Sequence, residues 1–196
     1  RGRAVRSMEY DQRNPHMLTY NLAVERQLPA DMSLSLAYAG SRGLNLQNSN
    51  DGNPTQYEIR DDHFYWRSAA EGGAPRLNPA WTTIQYHVTN KNSWYNSLQF
   101  VLNKRLSRGL QFQSSYTWSK NLDETQGQVA SDNAASSTYG ADPTHRNVDK
   151  GLASFDTDHN WRFNAIYRLP ELSSSGGLAA KVLKGWWVSS ILSLQS

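Results

Sequence analysis

The chain has no cysteine, which removes disulfide frameworks, thiolate zinc sites and cysteine nucleophiles together. No window approaches the roughly 18 consecutive apolar residues that a spanning helix needs, so the sequence excludes a helical membrane protein. Long basic runs are also missing: Lys and Arg total 20 against 17 Asp and Glu, and they are scattered along the chain. Charge dispersed in this way gives no footprint for nucleic acid. The first residues, RGRAVRSMEYDQRNP, carry positive charge with no apolar stretch behind it. They do not form a signal peptide, and the chain is expected to be a piece of a longer protein. No GxSxG elbow, P-loop or glycine-rich dinucleotide fingerprint occurs. An enzyme is therefore not expected, nor is a cofactor.

What is present is a surplus of amphipathic rings. The 196 residues hold 7 Trp and 10 Tyr, although the mean hydropathy is only -0.71. A length of this order allows one large domain or two small ones. A membrane barrel reconciles many rings with low hydropathy, because its lipid-facing residues alternate with lumen-facing ones and hide the span from window averages.

Period-two alternation recurs in segments of about ten residues, the length a tilted strand needs to cross a bilayer. In the first, Leu18, Tyr20, Leu22 and Val24 share one face, and Thr19, Asn21, Ala23, Glu25 and Gln27 share the other. After Pro29, Ala30 and Asp31, the pattern resumes with Met32, Leu34, Leu36 and Tyr38 against Ser33, Ser35, Ala37 and Ala39. Proline cannot donate to a strand ladder and aspartate favours turns, so a hairpin is predicted there. A second hairpin sets Leu98, Phe100 and Leu102 against Ser97, Gln99 and Asn103. It turns at Ser107, Arg108 and Gly109, then sets Leu110, Phe112, Tyr116 and Trp118 against Gln111, Gln113, Ser115 and Thr117. A less regular third pair has Trp161, Phe163, Ala165, Tyr167 and Leu169 in phase, followed by Val188, Leu192 and Leu194. The expected fold is all-β: an antiparallel up-and-down meander of about six transmembrane strands. These lie near residues 17–28, 32–43, 94–106, 110–121, 159–169 and 185–195.

Connections alternate in length. Pro29 to Asp31 and Ser107 to Gly109 are tight, whereas 44–92 and 122–157 are long and polar. In a meander this separates a tight-turn end from a long-loop end, as in barrels with short periplasmic turns and long extracellular loops. Pro170 to Lys184, with its Ser173–Gly177 run, breaks the rule by being longer than a tight turn. Thr82, Ile84, Tyr86 and Val88 also alternate, as an extended strand or an ordered loop.

Tyrosine and tryptophan favour the water boundary of a bilayer. Tyr20, Tyr38, Trp94, Tyr95, Tyr116, Trp118 and Trp161 fall toward the long-loop end of their strands, and Tyr167, Trp186 and Trp187 toward the other. Arg26 and Lys104 interrupt the apolar face only near the tight-turn end, where a long stem can lie along lipid with its charge among headgroups.

A series of strings carries a family likeness: NPHMLTYNLAVERQLP with LSLAYAGSRGLNL, then WYNSLQFVLNKRLSRGLQFQSSYTWSKNLD, then GLASFDTDHNWRFNAIYRLP, then LKGWWVSSILSLQS. Their order and spacing resemble the barrel of TonB-dependent outer-membrane transporters, in particular the Oar-like group. The run YNSLQFVLNKRLSRGLQFQSSYTWSK is the most specific of them. The resemblance implies a bacterial outer-membrane location and a barrel of about 22 strands around an N-terminal plug. It also implies outer-membrane lipid, the TonB complex (through that plug) and an imported ligand as partners. The plug is expected to lie outside this piece.

Candidate sites follow. Asn21, Glu25, Gln99, Asn103, Gln111, Gln113 and Thr117 form a polar face that could touch a substrate or a plug; plain hydration of a lumen wall is the alternative. Asp61, Asp62 and His63, and separately Asp156, Asp158 and His159, offer metal donors, but neither group has a recognised ligand spacing, and no metal is expected. Tyr57, Phe64, Tyr65, Trp66 and Trp81 could form a capture surface or simply pack a loop. Two rival readings remain: a passive porin or structural barrel, and a soluble secreted β-sandwich that binds carbohydrate. A sandwich would bury the leucine and phenylalanine face.

Overall fold

The computed structural model describes residues 5–124, 146–169 and 185–196. Among them are the strands β1 (Val5–Met8), β2 (His16–Leu28), β3 (Met32–Asp51), β4 (Glu58–Arg60), β5 (His63–Tyr65), β6 (Ile84–Ser107), β7 (Leu110–Asp123), β8 (Gly151–Leu152), β9 (His159–Arg168) and β10 (Trp187–Gln195). The long strands lie side by side in the order β2-β3-β6-β7-β9-β10, so strands adjacent in the chain are adjacent in the sheet. This is an all-β antiparallel meander. The Pro170 to Lys184 connection lies outside the described residues.

Turn chemistry explains the reversals. Two residues, Arg108 and Gly109, separate β6 from β7, both with positive φ (49° and 82°). Such a turn has a twist that matches the strands it joins. Gly109 is required twice over, since a Cβ there would also stand 2.9 Å from the Arg168 carbonyl oxygen. Between β2 and β3, Ala30 and Asp31 take φ of 62° and 60°. That turn is tied to β6, because Lys104 donates its Nζ to the Ala30 carbonyl at 2.6 Å and the Arg105 N–H donates to the Asp31 carbonyl at 2.9 Å.

The expected loop 44–92 is shorter than the sequence suggested, contracting to residues 52–83. β3 continues to Asp51 and β6 starts at Ile84, so the alternation of Ile84, Tyr86 and Val88 belongs to a strand. The extension was hidden because most of its buried side chains are polar, Asn48, Ser49 and Asn50 in β3 and Gln85, Thr89 and Lys91 in β6, with Val88 the buried apolar exception. Paired polar groups can be buried without producing an apolar period. β1 was also unforeseen. It runs parallel to β6, from Val5 opposite Ile84 to Met8 opposite His87.

The chain divides into two compact units. The first comprises Arg1–Met17, Arg42–Ser93 and Leu122–Ser154, and its interior is largely polar. Lys91, only 1% exposed, donates to Asp149 Oδ2 at 2.5 Å.

The second comprises Leu18–Ser41, Trp94–Asn121 and Phe155–Ser196, and it is a sheet with two unlike faces. Directly opposed residues on neighbouring strands share a face. Leu110 opposes Tyr167, Phe112 opposes Ala165, Ser114 opposes Phe163 and Tyr116 opposes Trp161, while Val188, Leu192 and Leu194 oppose Tyr167, Phe163 and Trp161. That face is apolar and uncovered. Leu22 is 70% exposed, Leu36 and Phe100 are each 39% exposed, and Phe112 is half-buried beside the Phe163 ring, 6.0 Å away.

Candidate functional site

The opposite face of this second unit is built from amides and hydroxyls. Gln113 opposes Asn164 and Thr117 opposes Asn160, while Gln111 faces Ile166 and Ser115 faces Arg162. Asn164 donates to Gln113 Oε1 at 3.5 Å. On β6, Gln99 donates to Ser97 Oγ at 3.2 Å, and the buried Ser97 donates onward to the Ala39 carbonyl at 3.1 Å. Of the polar-face candidates, Gln99 and Thr117 come together in one recess, described below. Gln111 and Gln113 lie along the same strand as Thr117, and Asn103 lies further along β6 toward the tight turn. Asn21 and Glu25 stand exposed on β2, which is next but one to β6 in the sheet.

The recess is a cleft of about 380 Å³ bordered by Tyr95, Gln99, Thr117, Asn121, Phe155 and Asp156, among others. Its volume lies within the range of small-ligand pockets. Hydrogen bonds to the end of β7 hold the segment that carries Phe155 and Asp156. The Asn121 N–H donates to Asp156 Oδ1 at 2.7 Å, Ser119 Oγ donates to the Thr157 carbonyl at 2.8 Å, and the Ser119 N–H donates to the Asp158 carbonyl at 3.0 Å. These bonds account for the Asp156, Asp158 and His159 group as a strand lead-in, with His159 Nδ1 sharing a hydrogen bond with the Tyr116 hydroxyl at 2.7 Å.

The interface aromatics divide between the faces. Tyr20 and Tyr38 meet at 6.1 Å between ring centroids, and both hydroxyls donate to Asn96 Oδ1, at 3.0 and 2.7 Å. The Tyr20 ring lies over Gly40, where an added Cβ would overlap it; an aromatic ring covering a glycine is a known device for pinning strand register. Tyr116, Trp161 and Tyr167 lie on the apolar face, where Trp161 Nε1 donates to Ser114 Oγ at 3.0 Å, and Trp118 opposes His159 there. Trp94 and Trp186 fall in phase with this face.

Two expectations need correction. Tyr95 borders the polar cleft beside Gln99, and Trp187 opposes Arg168 on the polar face, its ring 5.8 Å from the guanidinium carbon. Each has an immediate neighbour, Trp94 or Trp186, of opposite phase. Clustering of rings along the chain therefore could not place both members of such a pair on one face.

In the first unit, residues 52–83 are closed at their base by a clamp that the sequence reading missed. Asn53, 1% exposed, places its Nδ2 within 2.9–3.0 Å of the carbonyl oxygens of Asn78, Trp81 and Thr82. Its Oδ1 accepts the Asn78 N–H at 2.8 Å. Arg76 donates to Asp51 Oδ2 at 2.7 Å and to the Asn53 carbonyl at 2.6 Å. Burial pushes the Asp51 carboxyl up, but Arg76 and the Asn53 and Ile84 N–H groups outweigh it and hold the group below the ordinary carboxylate range. No sequence motif marks this arrangement.

Within that connection, Asp61 and Asp62 fill the positive-φ positions of the β4–β5 turn (49° and 59°), which gives them a structural role in the hairpin. Tyr57, Phe64 and Trp66 pack edge to face, with centroids 4.7 and 5.4 Å apart, whereas Tyr65 turns to the charged side beneath Arg60. Phe64, Trp66 and Trp81 remain exposed. Hydrogen bonds from the Tyr65 hydroxyl and from the Ser68 N–H and hydroxyl lower the pKa of Glu71 to about 2.

Compared with known proteins, residues 1–196 match the model of a family described as an outer membrane beta barrel domain. No curated protein and no solved structure matches the chain.

Proposed function

Because the chain belongs to the outer membrane beta barrel domain family and so resides in the bacterial outer membrane, we propose that it is wall and extracellular-loop segment of a TonB-dependent transporter. In this reading it takes part in importing a ligand too large or too scarce for diffusion through porins, and it performs no catalysis itself. The work of import comes from the TonB complex acting on a plug, and the wall contributes a polar path and ordered external loops.

The β6–β7 hairpin carries the reading. Its string YNSLQFVLNKRLSRGLQFQSSYTWSK, the one most similar to the Oar-like group, forms a single register with an amide-rich face inside and an aromatic strand end outside. The Asn53 clamp adds support, since it keeps a long connection ordered at its base, as a ligand-contacting loop requires. The uncovered Leu22, Leu36 and Phe100 weigh against a soluble sandwich.

Conductance separates a transporter from a passive porin. The purified full-length protein in a planar bilayer bathed in KCl is expected to show no steady conductance, and to retain the periplasmic domain of TonB on an affinity column. A steadily open channel that ignores TonB would overturn the proposal.

A further inference from the structure

We propose that the cleft between the ends of β6, β7 and β9 is a binding subsite for a neutral, hydroxyl-rich ring, the chemistry of one sugar residue of a glycan. The assignment names a substrate class for the wall proposed above and rests on that reading for its biological sense.

The lining decides the class. Its polar groups are three amides (Gln99, Asn121 and Asn160), four hydroxyl residues (Tyr95, Thr117, Ser119 and Thr157) and one carboxylate, Asp156. Among the described residues that line the cleft there is no Lys, Arg or His, so a phosphate, sulfate or carboxylate ligand would meet Asp156 with no compensating cation from them. Desolvating an anion there would cost far more than neutral hydrogen bonds return. A ligand of hydroxyls fits the remaining groups. One Asp156 oxygen already accepts the Asn121 N–H, and among the described residues the other has no partner, leaving it to accept a charge-assisted bond from a hydroxyl.

Two rings supply the apolar part. Phe155 is 61% exposed and borders the cleft together with Tyr95, offering flat surfaces to the C–H side of a sugar ring. The site is also set in advance. Ser119 and Asn121 bind the 155–158 segment through three hydrogen bonds, so little ordering cost remains when a ligand enters. A space of about 380 Å³ lies within the range of small-ligand pockets.

An array of immobilised glycans in neutral, acidic and amino-bearing classes, probed with purified full-length protein in detergent, tests the assignment. Binding is expected only to neutral glycans. Phe155→Ala and Gln99→Leu should each weaken it at least tenfold, whereas Leu102→Ala on the apolar face leaves it unchanged. Gln99 sits on a strand, away from the held 155–158 segment, so its variant tests the cleft even where Phe155→Ala disturbs that segment. Absence of neutral-glycan binding, equal binding of acidic or amino classes, or indifference to both cleft variants would overturn it. The array contains no TonB and no proton gradient. Failure there removes the cleft assignment alone, and a conducting barrel that still binds neutral glycans would keep the cleft while losing the import reading.

Discussion

Arginine at position 100 probes the two-faced sheet most severely. Phe100 stands midway along the predicted spanning part of β6, 39% exposed, with its ring 6.4 Å from that of Tyr116. An arginine at the midplane of a barrel's lipid face costs about 2–4 kcal/mol. At about 1.4 kcal/mol per decade, the folding equilibrium of Phe100→Arg should fall roughly 30- to 700-fold. Loss of the ring contact with Tyr116 adds to that. The next residue, Val101, points to the polar side, so Val101→Arg should cost about 1 kcal/mol or less. The assay is urea-dependent folding of the full-length protein into phospholipid vesicles, followed by tryptophan fluorescence. Equal costs at the two positions, or a Phe100→Arg protein within about 1 kcal/mol of wild type, would refute the face assignment.

Three further outcomes follow from local geometry. Gly109→Ala should destabilise by about 1–2 kcal/mol from its left-handed backbone alone, and by more from crowding against the Arg168 carbonyl; the same folding assay measures it, and a neutral variant would contradict the turn. Asn53→Ala removes the side chain that ties the Asn78, Trp81 and Thr82 carbonyls together, at about 1–3 kcal/mol in all, so limited proteolysis should cut within residues 52–83 faster while sparing the strands of the second unit. Glu71 has a folded-state pKa lowered from 4.5 to about 2. Its contribution to the order of the 68–71 turn is therefore present above about pH 4.5 and lost as pH falls toward 2. Amide exchange at Ser68 and Glu71, corrected for intrinsic rates, should quicken over that window, and Glu71→Gln should abolish the dependence.

Much of the wall was legible in sequence because a bilayer demands a strict alternation. Leu98, Phe100 and Leu102 against Ser97, Gln99 and Asn103 could take only one arrangement, and the turns at Asp31 and Gly109 carried their own chemistry. The first unit was legible only in part. Asn48, Ser49, Asn50 and Lys91 are buried through polar pairing, which gives no apolar signal, so β3 seemed to end early and the start of β6 showed only as the short alternation of Ile84, Tyr86 and Val88. The candidate site was half legible. Gln99 and Thr117 could be placed on a common face, but Phe155 and Asp156 reach the cleft through a segment held by Ser119 and Asn121, a contact across 35 residues or more. Asn96 gave no signal either, because its role as joint acceptor for Tyr20 and Tyr38 exists only once three strands are side by side.

The 196 residues hold no cysteine, so, with any cysteine elsewhere in the full-length protein replaced by serine, the most direct measurement of all is open: single cysteines placed in turn at positions 98 to 103, each carrying a nitroxide, in that protein within a bilayer. Collision with oxygen, which concentrates in hydrocarbon, should peak at 98, 100 and 102, and collision with a water-soluble nickel chelate at 99, 101 and 103. If positions 98, 100 and 102 were shielded from both reagents, a protein interior would surround that face, and the membrane-wall account would be wrong.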